Sequence, residues 1–433
     1  MKRLPRLAAA FALVAAAPAL AAPNPDTTVG QIVASPSYRA AVAAFDSDHD
    51  QWVEDIVAIT QVAAPPFKEE ARAKAFAEML RKRGLDPKID EEGNVLALRK
   101  GTQPGPVVVV AAHLDTVFPE GTDVTVRREG TKLMAPGVGD DSAGLATLLA
   151  LIDAMNAGKV QTRSDILFVG DVGEEELGNL RGMKALFRDH TDIDGFISID
   201  GLGIDRVVNQ ATGSHRYEFT FKGPGGHSFQ EFGLPSAIHA MGRAIAKIAE
   251  LQPPSDPKTT FTVGTVTGGT SVNAIAAEAR MAVDMRSNST DELLKLEARL
   301  LELVKEAVAD ENARWKSDKM TVEAKLIGDR PAGGVAMDSP IVQATQRAVS
   351  AVTRGPRPTF AGSSTDSNIA MSLGIPAVTI GGGGEGGNWH SRNEWYKPVN
   401  AWYGPQNALL TALILTGLDG VTKPALAVRK AGK

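Results

Sequence analysis

The run Val107-Val108-Val109-Val110-Ala111-Ala112 leads directly into His113-Leu114-Asp115-Thr116. Six apolar residues without polar alternation are too few for a membrane helix of ~20 residues. They read as a strand buried on both faces of a parallel sheet. Such a strand needs helices above and below it, so the expected fold class is α/β, with a mostly parallel mixed sheet flanked by helices. His113 and Asp115 stand two residues apart and leave the strand end on one face. Open α/β sheets carry their chemistry at the carboxyl ends of strands, which makes this point the place to look for partners.

Other strand ends supply them. Ile166-Leu167-Phe168-Val169 runs into Gly170-Asp171-Val172-Gly173-Glu174-Glu175-Glu176, and Gly195-Phe196-Ile197-Ser198-Ile199 ends at Asp200. The loop Ala135 to Gly144 contains Asp140-Asp141 before a helix expected at 145–155. A fifth segment, Asn388 to Glu394, contains His390. Helices are expected over 69–83, 341–352 and 401–418, and amphipathic spacing fills 27–63, broken by the polar turn Asp46 to Asp50. That turn lacks the Gly and terminal Glu of a calcium loop and reads as a helix cap. The tail to Lys433 is polar and expected to fray.

The texture changes between about 213 and 327. Tyr217-Glu218-Phe219-Thr220-Phe221 alternates, and a helix (235–251), two strands (259–263 and 279–285), a long helix (290–308) and a strand (320–326) follow. This β-α-β-β-α-β order predicts a ferredoxin-like α+β unit inserted in the first domain. The expected division is therefore a leader at 1–21, a catalytic part at 22–212, the insert at 213–327 and a second catalytic part at 328–433. No internal repeat is present.

Composition narrows the chemistry. Lys2, Arg3 and Arg6, an apolar run from Leu7 to Ala17 and Ala19-Leu20-Ala21 have the form of a cleaved secretory signal, which implies a periplasmic or secreted protein with no membrane attachment after cleavage. Removing those three basic residues takes the net charge from −5 to −8, a balance that gives no reason to seek nucleic acid. With no cysteine among 433 residues, disulfides, thiolate metal sites and cysteine nucleophiles are excluded. A serine-hydrolase elbow is absent, and Gly381 to Gly387 lacks the Lys-Ser/Thr of a phosphate loop, so it reads as backbone packed beside His390. Several carboxylates around one crevice repel each other unless cations hold them. Two divalent ions on His and carboxylate ligands meet that need, zinc first and cobalt or manganese less selectively. An unligated Glu remains to serve as general base.

His-Leu-Asp-Thr-Val, Gly-x-Gly-Asp-Asp-Ser-Ala-Gly, Gly-Glu-Glu-Glu-Leu-Gly, Ser-Ile-Asp-Gly and Trp-His-Ser-x-x-Glu together resemble the site motifs of metallopeptidase family 20. That family includes carboxypeptidase G, tripeptidase T, aminoacylase and acetylornithine deacetylase, and the chain looks nearest to the tripeptidase-type branch. The resemblance implies that His113 and Asp200 bind one zinc, Glu175 and His390 the other, and Asp140 bridges them. It also implies that Asp115 orients His113, that Glu174 is the base, and that the Asp140–Asp141 peptide is cis. Three glutamates in a row leave the register open, with the spacing to Leu177-Gly178 favouring Glu174 and Glu175. In the insert, Gly223-Pro224-Gly225-Gly226-His227-Ser228 resembles a lid motif whose histidine completes the site of a partner subunit in a homodimer. Asn273 and Arg286 resemble lid residues that grip a substrate carboxylate. Ser364-Thr365-Asp366 resembles a loop near the site, and an N-cap explains Asp366 equally well. His49, His190, His215 and His239 belong to no pattern.

The expected function is a secreted di-zinc exopeptidase acting on short peptides. An N-acyl-amino-acid amidohydrolase using the same water attack is the alternative. A non-catalytic periplasmic solute-binding protein is the remote one, needing no clustered metal ligands.

Overall fold

A computed structural model describes residues 25–355 and 358–429; the expected leader lies outside the described residues. The centre is a nine-stranded sheet. Four of its strands lie side by side and parallel: Ile166–Asp171, Val107–His113, Ile193–Ile199 and Ala377–Ile380. Val95–Arg99 and Lys88–Ile89 extend one edge antiparallel. Arg206–Ala211 extends the other and pairs with Thr359–Ser363 and Gly333–Gly334.

The opening run behaves as its composition requires. Val108 through Ala112 are completely buried, and alternate residues feed different layers. Val108, Val110 and Ala112 pack with the helices Ser142–Ala157, Pro340–Thr353 and Tyr403–Thr416. Val109 and Ala111 pack under Arg181–Asp189 and Ser367–Ser372. Each such valine contributes about 1.5–3 kcal/mol by leaving water. Parallel pairing puts the carboxyl ends of all four central strands on one edge of the sheet, and His113, the 172–175 loop, Asp200 and Gly381 follow from them.

Residues 213–330 form a separate antiparallel sheet in the order Thr259–Gly268, Glu278–Ser287, Gly213–Lys222, Thr321–Arg330. Two helices, Ala237–Ala249 and Thr290–Trp315, cover one face. The sequence alternation sets the faces: Tyr217, Phe219, Phe221, Met281, Val283 and Met285 join the helices in a core of their own. The long helix runs seven residues beyond the expected Val308, because Ala307 and Glu311 are still buried there. The last strand reaches Arg330, four residues past the expected end.

Short strands at Arg127–Glu129, Lys132–Met134, Glu385–Gly387 and Trp395–Lys397 make a small sheet beside the site. As far as Arg429, where the described residues end, the tail corrects the expectation that it frays. Ala425 N–H donates to the Ile414 carbonyl, Leu426 is buried, and the Arg429 guanidinium donates to the Ile193 carbonyl. Two apolar anchors, Ala425 and Leu426, suffice to seat the segment against the final helix.

Candidate metal and catalytic site

The glycine-rich loop places its two aspartates in different jobs. Asp141 caps the Ser142–Ala157 helix, its Oδ1 accepting from Gly144 N–H at 3.2 Å. A Cβ at Gly144 would lie 2.2 Å from that oxygen, so only glycine fits. The Asp140–Asp141 peptide is cis, and Asp140 faces the cleft. Its Oδ1 lies 3.0 Å from His113 Nε2 and its Oδ2 lies 3.2 Å from His390 Nε2. One carboxylate thus spans two imidazoles from distant parts of the chain, His390 lying 250 residues beyond Asp140.

Three overlapping ligand groups result: His113 with Asp140 and Asp200, Asp140 with Glu175 and His390, and His113 with Glu174 and Glu175. In each, the candidate ligand atoms lie within 4.8 Å of one another. Glu175 Oε1 is 3.2 Å from His390 Nε2. Glu176 enters none of these groups; it is exposed and opens a short 3₁₀ turn with φ 45°.

Asp115 sits at the hub. The His113 Nδ1 faces its carbonyl oxygen at 3.1 Å and its Oδ1 at 3.6 Å. Its carboxylate is engaged elsewhere, accepting the N–H of Glu174 at 3.1 Å and of Glu175 at 2.8 Å. Asp115 therefore faces the imidazole chiefly through its backbone, while its side chain carries the glutamate loop.

The electrostatics follow from this crowding. Burial pushes Glu174 and Glu175 up to about 7, the Arg330 guanidinium partly offsetting it at Glu174 and the His390 bond at Glu175. Burial and then the neighbouring Asp140 push Asp200 up to about 6. Bonds to Asp140 and Glu175 hold the His390 imidazole up at about 10. Burial opposes charge on Asp140 also, but bonds from both imidazoles outweigh it and hold its carboxyl below the ordinary range. Carboxylates crowded in this way keep protons in place of a stronger cation. Three carboxylates and two imidazoles converging on adjacent points are a donor set that suits two divalent ions.

Several participants carried no assigned role in the sequence reading. Glu394, completely buried, accepts from the N–H groups of Gly137, Gly139 and Asp140 at 3.1, 2.8 and 3.0 Å, and so fixes the loop bearing Asp140. It was visible as the last residue of the Trp-His-Ser-x-x-Glu motif. Arg330, at the end of the insert's last strand, lies 3.1 Å from Glu174 Oε1 and also donates to the Glu174 carbonyl and to Ser364 Oγ. No local pattern marks it. Asp366 does not act as the side-chain N-cap that its position before Ser367–Ser372 suggested. It lies buried against Asp171, and burial followed by the repulsion of Asp171 and Glu174 raises its carboxyl well above the ordinary value.

The cleft over this constellation has a volume of about 800 Å³. Arg286 reaches it from the insert; His227 and Asn273 do not. His227 lies exposed on the two-residue strand Gly226–His227, paired with Ala274–Ile275, and Ser228 N–H donates to the Asn273 carbonyl.

A family model described as Peptidase family M20/M25/M40 matches residues 109–415. The chain belongs to this family. It is thus a hydrolase of the M20 type, which sets aside the non-catalytic solute-binding alternative. The uncharacterized protein YqjE of Bacillus subtilis is 25% identical over 360 residues, covering 79% of this chain and 92% of that protein. A tripeptidase from Staphylococcus aureus shares the fold with a TM-score of 0.70 at 21% identity, over 84% of this chain and 97% of the other. A dinuclear metal-binding peptidase of the M20 family from Bacillus subtilis aligns with a TM-score of 0.63 at 15% identity, over 86% and 99% of the two chains. The M20 sheet-and-insert architecture is therefore shared across most of the molecule.

Proposed function

We propose that this chain is an exported exopeptidase that cleaves the amide bonds of short peptides with two zinc ions per subunit, cobalt or manganese being able to replace them. The observation that carries the reading is Asp140, whose two oxygens each face a different imidazole. His113 and Asp200 would hold one ion and Glu175 and His390 the other, with Asp140 serving both. When bound, the ions supply Lewis-acid polarisation of the scissile carbonyl and acidify a water molecule.

The chain's own residues do the rest. Glu174 takes the proton from the attacking water on a carboxylate oxygen and returns it to the departing amine nitrogen, a task suited to a carboxyl near neutral pKa. Arg330 keeps that carboxylate oriented, and Asp115 fixes the backbone beneath it. Arg286 takes the substrate's terminal carboxylate with its bidentate fork, aided by Asn273. His227 and Asn273 lie off the cleft of their own subunit, which supports their service to the site of a second copy across the insert, His227 stabilising the oxyanion. The leader at 1–21 would deliver the protein to the periplasm or outside the cell. The same machinery would also serve an N-acyl amino acid, since that substrate presents an equivalent amide beside a carboxylate.

Chelation and substitution test this reading together. Exhaustive chelation should abolish hydrolysis of di- and tripeptides, and zinc, cobalt or manganese should restore it. Glu174→Gln should retain metal by elemental analysis while losing about 10²–10⁴-fold in kcat. A chelator-insensitive enzyme, or an active Glu174→Gln protein, would overturn it.

A further inference from the structure

Arg72 is the largest of the fully buried side chains, with 1% of its surface exposed. It is the third residue of the helix Glu70–Lys82, and a cation is opposed there in three ways. Burial pulls its guanidinium down to about 10. A positive charge in a first turn faces the positive end of the helix dipole. A buried charge is also far more costly alone than when bonded to a carboxylate, yet among the described residues Arg72 forms no ion pair. Asp115 and Asp141 favour its charge through their field, and neither is among its hydrogen-bond partners.

What the guanidinium bonds is backbone. Nε donates to the Val62 carbonyl at 2.7 Å, Nη1 to the Leu114 carbonyl at 2.8 Å and Nη2 to the Thr60 carbonyl at 3.4 Å. Thr60 is the last residue of the helix His49–Thr60, and the final carbonyls of a helix have no partner within it. Leu114 stands between His113 and Asp115. The planar fork thus ties the end of a helix to the peptide at the centre of the site. Arginine alone among the side chains presents so many donors in fixed directions.

That peptide lies where the sheet stops supporting the chain. The strand Val107–His113 pairs with Ile193–Ile199 as far as Ala111 and with Ile166–Asp171 as far as His113. One further bond follows, from Leu114 N–H to the Asp171 carbonyl at 2.6 Å. Past it, Thr116 N–H donates to the Ala64 carbonyl at 3.0 Å. Bonds to Arg72 and to Ala64 therefore bracket Asp115 on its two sides. Asp115 in turn presents its carbonyl to His113 Nδ1 and its carboxylate to the glutamate loop.

We propose that Arg72 is a positioning residue for the metal centre: its guanidinium clamps the Leu114 carbonyl to the end of the helix His49–Thr60, and so sets the affinity for the ion that His113 would hold. This rests on the two-metal reading above. The clamp fixes the peptide that turns Asp115 towards the imidazole, so the ligand is aimed before any ion arrives. Groups that orient a ligand from behind in this way govern how tightly the metal is held.

Zinc affinity, read on the full-length protein against a fluorescent zinc indicator, tests this without turnover. Arg72→Met keeps an unbranched stem and removes every donor, and should bind zinc about 10–100-fold more weakly. Arg72→Lys keeps the charge but loses the fork, and its affinity should fall between those of the other two proteins. Wild-type affinity in Arg72→Met, even with a lower melting temperature, would show that the clamp serves the fold alone and overturn the proposal. If Arg72→Met does not fold, wild-type affinity in Arg72→Lys would overturn it equally. A second measurement needs no metal. In the chelated proteins, amide exchange over residues 113–117, followed by mass spectrometry, should be faster in Arg72→Met than in the wild type, and exchange over 107–112 should be unchanged. If the wild-type protein holds no zinc, the two-metal reading fails, and equal exchange over 113–117 would still refute the clamp on its own.

Discussion

At the scale of single residues, the site depends on carboxylates whose work is to hold backbone. Glu394 is the clearest case, since its two oxygens serve three N–H groups of the loop that aims Asp140. Glu394→Ala would strand those donors in a buried position, at about 1–3 kcal/mol in stability. It should also weaken metal binding measurably in a competition titration with a chromogenic chelator. Unchanged metal affinity would mean that the loop holds its shape without this acceptor. The metal-ligand candidates themselves were legible because each is an acidic or imidazole residue at the end of an apolar run. Arg330 was not, because its meaning depends on which strands lie beside Gly213–Lys222, and pairing between distant segments leaves no trace in local spacing.

At the scale of elements, the buried parallel strands were readable from composition, whereas the small sheet beside the site was not. Glu385–Gly387 and Trp395–Lys397 are three residues each, too short for a period to emerge, and glycine masks the first. The insert was readable through its alternation and its two long helices. Its two-residue strand carrying His227 yields a prediction that belongs to this scale. His227→Ala and Glu174→Gln proteins, each deficient alone, should regain activity when mixed under conditions that exchange subunits. In the mixed dimer one site combines an intact Glu174 with an intact His227 from the other copy. If mixing restores nothing while both proteins stay folded and metal-loaded, the histidine does not act between subunits.

At the scale of the whole molecule, the unpaired charges couple stability to pH and to metal. In the metal-free chain, Glu174 and Glu175 at about 7 and Asp200 at about 6 lie above their ordinary values, as does His390 at about 10. Each of these groups binds protons more tightly folded than unfolded. Their contribution is therefore complete at about pH 4 and is lost as pH rises, through 6 to 7 for the carboxyls and towards 10 for the imidazole. The depressed carboxyl of Asp140 adds no slope in this range, being ionised throughout. The chelated protein should therefore melt at progressively lower temperature from pH 5 to pH 9. Zinc should flatten that dependence, since metal replaces the protons and binds more tightly as they leave. Scanning calorimetry with and without chelator distinguishes the two profiles; a chelated protein whose melting temperature rises with pH would contradict the assignment of these groups.

The two N–H groups held by Asp115 have one more consequence. A loop of glycine and glutamate ordinarily samples many shapes, and the separation of two side chains on it would vary from moment to moment. Here neighbouring peptides are pinned to the carboxylate of a residue that continues from a buried central strand of the sheet. The spacing between Glu174 and Glu175 is thus inherited from the hydrophobic core. Three identical letters in a row acquire distinct addresses from a ruler whose graduations are valines.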